Sequence, residues 1–247
     1  MVIPRSHPRY QFLLVRERLA DGLRKGLVHE TGLIAHGRGE AFDYLIGEKT
    51  VEIADEAAKV AAAALLLAND PVISLNGNVV ALASKDCISL ANRIPAKLEV
   101  NLFHRTNDRV EKLVKELKKQ GAKKVYGGNA DALISGLNHD RALCEKEGIY
   151  GADVVLVPLE DGDRCEALKK MGKTVLTIDL NPLSRTACTA DVTVVDNVVR
   201  ALPNIEKWVV VLKNRKKEML ENMVESWDNS EGLRKILDYI SKRLKSL

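Results

Sequence analysis

Aromatic residues are scarce in this chain of 247 residues: phenylalanine, tyrosine and tryptophan together make up 4% of it. Its apolar character rests instead on alanine, leucine, valine and isoleucine, the composition of helices packed on a parallel sheet. Cysteine is sparse too. Cys87, Cys144, Cys165 and Cys188 are scattered, with no CxxC pair and no Cys/His metal spacing. That argues against a disulfide framework or a structural zinc site and leaves buried or half-buried reduced thiols as the expectation. No apolar run reaches membrane-spanning length; residues 61–68 are a short small-residue stretch inside an amphipathic helix. The first residues, Met1-Val2-Ile3-Pro4-Arg5, lack the apolar core of a signal peptide, so a cytoplasmic protein is expected. Charge of one dominant sign is also missing. The net charge is +4, and Lys and Arg interleave with Asp and Glu along the expected helices, the pattern of solvated faces with salt-bridge pairs. No basic stripe alternates with aromatics, which speaks against a nucleic-acid-binding protein.

What is present is a change of character along the chain. Helical spacing runs over residues 8–27 through Phe12, Val15, Leu19 and Leu23, with Gly26 as a stop. Residues 31–40 read as a glycine-punctuated loop, followed by a short helix over 41–46 and a longer one over 54–68. Buried strands are then expected at 71–75, 97–103, 124–126, 152–157, 175–178 and 192–195, alternating with helices at 85–93, 108–120 and 160–171. Residues 128–151 are polar and irregular, an excursion over the sheet rather than a core element. From Asn197 the chain reads as helical to the end, broken at Pro203 and again near Asp228-Asn229. This alternation predicts an α/β fold, a doubly wound, mostly parallel sheet flanked by helices. The expected organisation is one domain: a helical N-terminal part over about 1–69, a sheet core over about 70–200 and C-terminal helices over about 201–247.

Two nucleotide motifs are set aside first. Gly172-Lys173-Thr174 resembles the end of a P-loop, but Ala167 holds the first glycine position and a helix here leads into a strand, the reverse of a phosphate cradle. It reads as a helix C-cap. Gly37-Arg38-Gly39 is no dinucleotide fingerprint, because Phe42 holds the third glycine position and no strand precedes it. The loops at strand ends are richer: Asn76-Gly77-Asn78, residues 101–106, 158–164 and 179–185, and Asp196-Asn197. In a doubly wound sheet all of them open on one edge. They offer amides, carboxylates and arginines without a Ser–His or Cys–His pair, an inventory suited to a phosphorylated or nucleotide ligand handled by positioning and charge neutralisation. Each loop alone also reads as a capped turn. Glu160, Asp161 and Asp163 are candidate Mg²⁺ ligands or favourable charge at a helix amino terminus, and the metal ligands stay open. His36 and His104, each near an arginine in sequence, are candidate phosphate donors or neutral loop histidines. Arg16 lies within the first helix, where a solvated arginine is the ordinary expectation.

Four strings carry a resemblance: residues 32–48 (GLIAHGRGEAFDYLIGE), Asn76-Gly77-Asn78, residues 157–164 and residues 178–185. They resemble archaeal 4-phosphopantoate–β-alanine ligases, also called phosphopantothenate synthetases, and the similarity runs from Ser6-His7-Pro8-Arg9-Tyr10 to the last helices. The resemblance implies a Rossmann-like fold, a homodimer and an ATP-dependent ligase of coenzyme A biosynthesis. Such enzymes join 4-phosphopantoate to β-alanine through an acyl-adenylate and release AMP and pyrophosphate, with Mg²⁺ balancing phosphate charge. Nucleotide-contacting positions of the family match Arg16, Arg38, Asp179-Leu180-Asn181, Arg185-Thr186 and Asn197-Val198, with Thr186 standing where a serine is common. On residue chemistry, Arg38 and Arg185 are then candidates to neutralise the leaving pyrophosphate. Asn76 or Asn78 is a candidate donor to the carbonyl oxygen as charge develops there, and Arg105 with His104 and Thr106 a candidate cradle for the 4-phosphate. Small-molecule substrates are expected, with no nucleic-acid or membrane partner. The alternative is another phosphate- or nucleotide-binding α/β enzyme, such as a sugar-phosphate isomerase or oxidoreductase, separable by turnover without ATP.

Overall fold

The computed structural model describes residues 3–159 and 162–246. Three helices, α1 (Tyr10–Arg24), α2 (Glu30–Ile46) and α3 (Glu52–Leu67), lead into β1 (Pro71–Leu75), α4 (Gly77–Arg93), β2 (Lys97–Val100) and α5 (Asn107–Lys119). A short pair, β3 (Ala132–Leu133) and β4 (Leu143–Cys144), comes before β5 (Val154–Pro158), α6 (Gly162–Lys170), β6 (Thr174–Ile178), α7 (Arg185–Thr189) and β7 (Val192–Val194). The chain ends in α8 (Val198–Leu212), α9 (Lys217–Glu225) and α10 (Asn229–Lys245). The main sheet is parallel throughout, in the order β2-β1-β5-β6-β7. Between β1 and β5 the winding reverses, and a doubly wound sheet opens its ligand crevice at such a switch point. The expected α/β, Rossmann-like architecture is what the chain adopts.

Strand residues alternate between two apolar layers, as the period of a strand requires. Ile73, Leu75, Leu156, Leu176 and Ile178 face a core shared with α1, α3, α4, α5 and α8, while Val72, Val155, Val157 and Val175 face Ile134, Cys144, Ile149, Cys165 and Leu168. The terminal helices join a third cluster, in which Ile46 and Ala54 meet Leu180, Val195, Leu233 and Ile236. Helices after the sheet's carboxyl edge start on polar caps: Asn76 for α4, Thr106 for α5, Ser184 for α7 and Asn197 for α8. Cys87, Cys144 and Cys165 are buried and Cys188 is exposed, all as free thiols.

Several expectations are corrected. The supposed loop over 31–40 is the first half of α2: the His29 ring accepts from Thr31 N at 3.3 Å as its cap, and His36, Glu40 and Asp43 form its buried face. Packing here overrides the poor helix propensity of Gly32, Gly37 and Gly39. Gly32 itself serves a close approach, since a Cβ would stand 2.5 Å from Asn78 Oδ1. The helix expected at 85–93 reaches back to Gly77, with a non-helical step at Ala83. Residues 124–126 supply only one parallel bridge, Glu99 to Tyr126, because the chain turns away at Gly127 with φ +106°. Residues 128–151 are more than an excursion: Ile134, Cys144 and Ile149 plug the second core. Pro203 lies inside α8 without breaking it, and the chain leaves the helix after Leu212 instead.

Candidate active site

A cavity of about 790 Å³ opens at the carboxyl edge of the sheet, over the switch point. The loops after β1, β2, β5 and β6 converge on it, and α2 forms the opposite wall. A more open depression of about 410 Å³ beside α9, lined by Lys216, Glu218, Met219, Asn222, Met223 and Ser226, sets one cation against one carboxylate and lies away from the strand-end loops.

Asn76 ties the two halves of the switch point together. Its Nδ2 donates to the Leu159 carbonyl at 2.8 Å, across from β1 to the end of β5, while its Oδ1 accepts from Val79 N at 3.0 Å. Leu159 holds the left-handed conformation, φ +58°, which is uncommon for a residue with a Cβ. Asn78 donates to the Gly32 carbonyl at 2.8 Å and so fastens α2 to α4. Both amides line the cavity, and each Nδ2 has one hydrogen engaged and one remaining.

Arg38 enters from α2, exposed and with no ion-pair partner among the described residues. Across from it stand Asp179, Leu180, Asn181 and Ser184. Burial pushes the Asp179 carboxyl above its usual range; the Ser184 hydroxyl, the Asn181 N–H at 2.9 Å and the Arg38 charge work against that shift. His36 also lines the wall and is buried, and its pKa is lowered by burial first, with Arg16 adding to the effect and Glu40 and Asp43 opposing it. These surroundings favour the neutral imidazole.

Other positions matched by the resemblance stay off the wall. Arg16 pairs through Nε with Glu40 at 2.9 Å. Arg185 is exposed and pairs with Glu166 at 2.8 Å. Thr186 and Val198 are buried in α7 and at the start of α8. The Asn197 side chain donates to Asp43 at 3.0 Å and accepts from Val199 N at 3.3 Å, so it links α8 to α2. Arg200 completes that seam, 2.6 Å from Asp43 and 2.8 Å from Asp196, both carboxylates fully buried.

The three-residue cradle expected after β2 divides as well. His104 lines the cavity, stacked on His29 with ring centroids 3.9 Å apart. The His29 pKa is lowered by burial first, then by His104 and Arg109. Arg105 points elsewhere and donates to the Gly127 carbonyl at 2.6 Å, and Thr106 is occupied as the cap of α5. In their place Arg109 and Arg141 reach the wall. Arg109 Nη2 donates to the Leu27 carbonyl at 3.0 Å and Nη1 to the His104 carbonyl, and burial lowers its pKa. A sequence signal existed for Arg109, three residues past the Thr106 cap and so in the first turn of α5, beside the loop that carries His104. None existed for Arg141, in a stretch that reads as irregular.

Among the described residues the wall thus carries three arginines, Arg38, Arg109 and Arg141, against one carboxylate, Asp179. Such a field favours anionic ligands. No three His, Cys, Asp or Glu side chains converge as a metal site among the described residues. Of the candidate magnesium ligands, Glu160 and Asp161 lie outside the described residues; Asp163 pairs with His139 at 2.9 Å. The P-loop-like triplet sits at the amino end of β6, on the other edge of the sheet. Gly172 has φ +78° as a helix cap and Lys173 Nζ donates to the Tyr150 and Ala152 carbonyls, both at 2.6 Å.

Residues 53–243 match the family model described as phosphopantothenate/pantothenate synthetase. The chain belongs to the phosphopantothenate synthetase family. It is 53% identical over 245 residues to the 4-phosphopantoate–beta-alanine ligase of Methanosarcina mazei, covering 99% of this chain and 96% of that one. It is 52% identical over 246 residues to the enzyme of that name from Thermococcus onnurineus, covering 99% and 94%. To that from Methanospirillum hungatei it is 49% identical over 243 residues, covering 98% of each. Family membership extends through the sheet, the cavity-forming loops after β1, β2, β5 and β6, and the C-terminal helices. Among the described residues no helix is long and apolar enough to cross a membrane.

Proposed function

We propose that this synthetase-family chain condenses 4-phosphopantoate with β-alanine at the expense of ATP, giving 4'-phosphopantothenate, AMP and pyrophosphate. The observation that carries the reading is the three-arginine cavity at the switch point, within a chain about half identical to ligases of that name. A carboxylate is a poor acylating agent, so it first attacks the α-phosphorus of ATP and expels pyrophosphate. The β-alanine amine then attacks the acyl-adenylate carbonyl and AMP departs. Both steps move charge onto oxygen, and fixed donors in a sheltered site stabilise that charge.

In this reading Arg38 meets the triphosphate beside Asp179, Leu180 and Asn181. Arg185 joins it on exchanging Glu166 for phosphate, and Arg16, Thr186, Asn197 and Val198 support the nucleotide from behind the wall. The remaining Nδ2 hydrogen of Asn76 or Asn78 donates to the carbonyl oxygen as charge develops. His104, with Arg109 and Arg141 in place of Arg105 and Thr106, holds the 4-phosphate, where paired guanidinium donors suit phosphate geometry. Mg²⁺ bound with the triphosphate would balance its charge as pyrophosphate leaves. The chain acts as a cytoplasmic homodimer; exposed Val210, Val211, Met219 and Leu244 on the C-terminal helices are apolar surface for a second copy.

The test is AMP and pyrophosphate release from ATP and Mg²⁺, with the acid and the amine supplied together or singly. Release that needs both, with the amide seen by mass spectrometry, is expected. Turnover without ATP would sink the reading in favour of an isomerase or oxidoreductase.

A further inference from the structure

Strand β2 and the two residues after it point two polar side chains, Glu99 and Asn101, into the layer formed by residues 128–151, while Leu98, Val100 and Leu102 face the helices. Both polar residues are fully buried. Asn101 Nδ2 donates to the Arg141 carbonyl at 3.3 Å and to the Leu143 carbonyl at 2.9 Å. The intervening Ala142 carbonyl turns the other way and accepts from Ile134 N at 2.8 Å. Alternate carbonyls of one short stretch are thus shared between Ile134, just after β3, and the Asn101 amide. Two residues back, Glu99 accepts from Glu145 N at 3.0 Å and Ile149 N at 2.6 Å. Asn101 Oδ1, by contrast, is buried with no hydrogen-bond partner. An amide kept at a fully buried position with its acceptor unpaired is a costly choice beside an apolar side chain of similar size, so its two donated bonds must matter.

We propose that Asn101 is a positioning residue: by holding the Arg141 and Leu143 carbonyls it places the Arg141 guanidinium in the cavity wall, and through it sets the affinity for the phosphorylated acid. The proposal takes the identity of that acid from the ligase reading. A bond of this kind acts on one wall only. ATP, on the far side at Arg38 and Asp179, does not feel it. Glu99 anchors the same segment farther along the chain, at residues that do not line the cavity, and serves as the internal control.

The experiment compares steady-state kinetics of the wild type, Asn101→Leu, Glu99→Gln, Arg141→Ala and the double variant Asn101→Leu/Arg141→Ala. Asn101→Leu is expected to raise the KM for 4-phosphopantoate about tenfold and to leave that for ATP within about twofold. Glu99→Gln lowers the melting temperature without that split. In the Arg141→Ala background Asn101→Leu adds less than about twofold, because the two residues act through one contact. Equal rises in both KM values, or a full effect that survives in the double variant, would overturn the proposal. Should Asn101→Leu not fold, Asn101→Ser, which keeps one hydroxyl donor, is read in the same way. Amide exchange gives a readout without turnover: faster exchange at residues 141–144 with α2 unchanged is expected, and unchanged exchange there overturns the placement. Failure of the ligase reading is distinct, since it shows in the unmutated chain as absence of amide product.

Discussion

At the scale of single residues, Glu99 makes a pH-dependent contribution of definite sign. Burial pushes its carboxyl up to about 7, against the pull of the Ile149 and Glu145 N–H groups. The folded chain therefore keeps a proton that the unfolded chain sheds, from about pH 4.5 upward to about 7. Its contribution is full below that window and falls by roughly 3 kcal/mol as pH rises through it. Denaturant unfolding at several pH values should show this slope in the wild type and a flatter one in Glu99→Gln. Arg38 makes the matching functional prediction. Arg38→Ala should lower kcat/KM for ATP about a hundredfold, and Arg38→Lys should restore only part, because an ammonium lacks the paired donors of a guanidinium. Which side chains belong to the site was partly legible from residue type. Amides, Asp and Arg after strands mark Asn76, Asn78, Asp179 and Asn181, all on the wall. Direction was not legible: Arg105 and Arg109 sit four positions apart, and only the fold turns one toward Gly127 and the other into the cavity.

At the scale of elements, α2 decides the shape of the cavity, and its glycines mislead a propensity argument. Gly37 and Gly39 read as loop residues because each weakens an isolated helix by about 1 kcal/mol. The helix forms because His36, Glu40 and Asp43 are buried against the rest of the molecule, a term that local pattern does not contain. Gly32 is the point where this packing is tightest, since Asn78 Oδ1 fills the space of a missing Cβ. Gly32→Ala should cost about 1–3 kcal/mol by overpacking, and it should raise the KM for ATP because Arg38 rides on the same helix. Thermal melting alongside kinetics checks both; a neutral melt with unchanged KM would mean that α2 shifts freely. Caps, by contrast, were readable. Thr106 before a strongly amphipathic run marks the start of α5, where the structure begins it.

At the scale of the whole molecule, strand–helix alternation made the parallel sheet legible, and with it the edge on which ligands gather. The strand order was not, because nothing in a local pattern says that β5 returns beside β1 instead of continuing beyond β2. Long-range polar ties settle that, such as the Asn76 bond to Leu159 across 83 positions. The seam of Asp43, Arg200 and Asp196 is another, joining α2 to α8 and the end of β7. Arg200→Ala strands two buried carboxylates and should cost about 3–5 kcal/mol in denaturant unfolding.

That seam also has a bearing on heat. Hydration of charged groups carries a strongly negative entropy, so the penalty for taking them out of water shrinks as temperature rises, while apolar stabilisation per unit area levels off. Asp43, Arg200 and Asp196 have already left most of their water behind. Their mutual attraction is opposed least when the protein is hot, and the loss caused by Arg200→Ala should grow on warming. The helix that carries Arg38 is then held most firmly, relative to the alanine-rich contacts around it, at the upper end of the protein's working range.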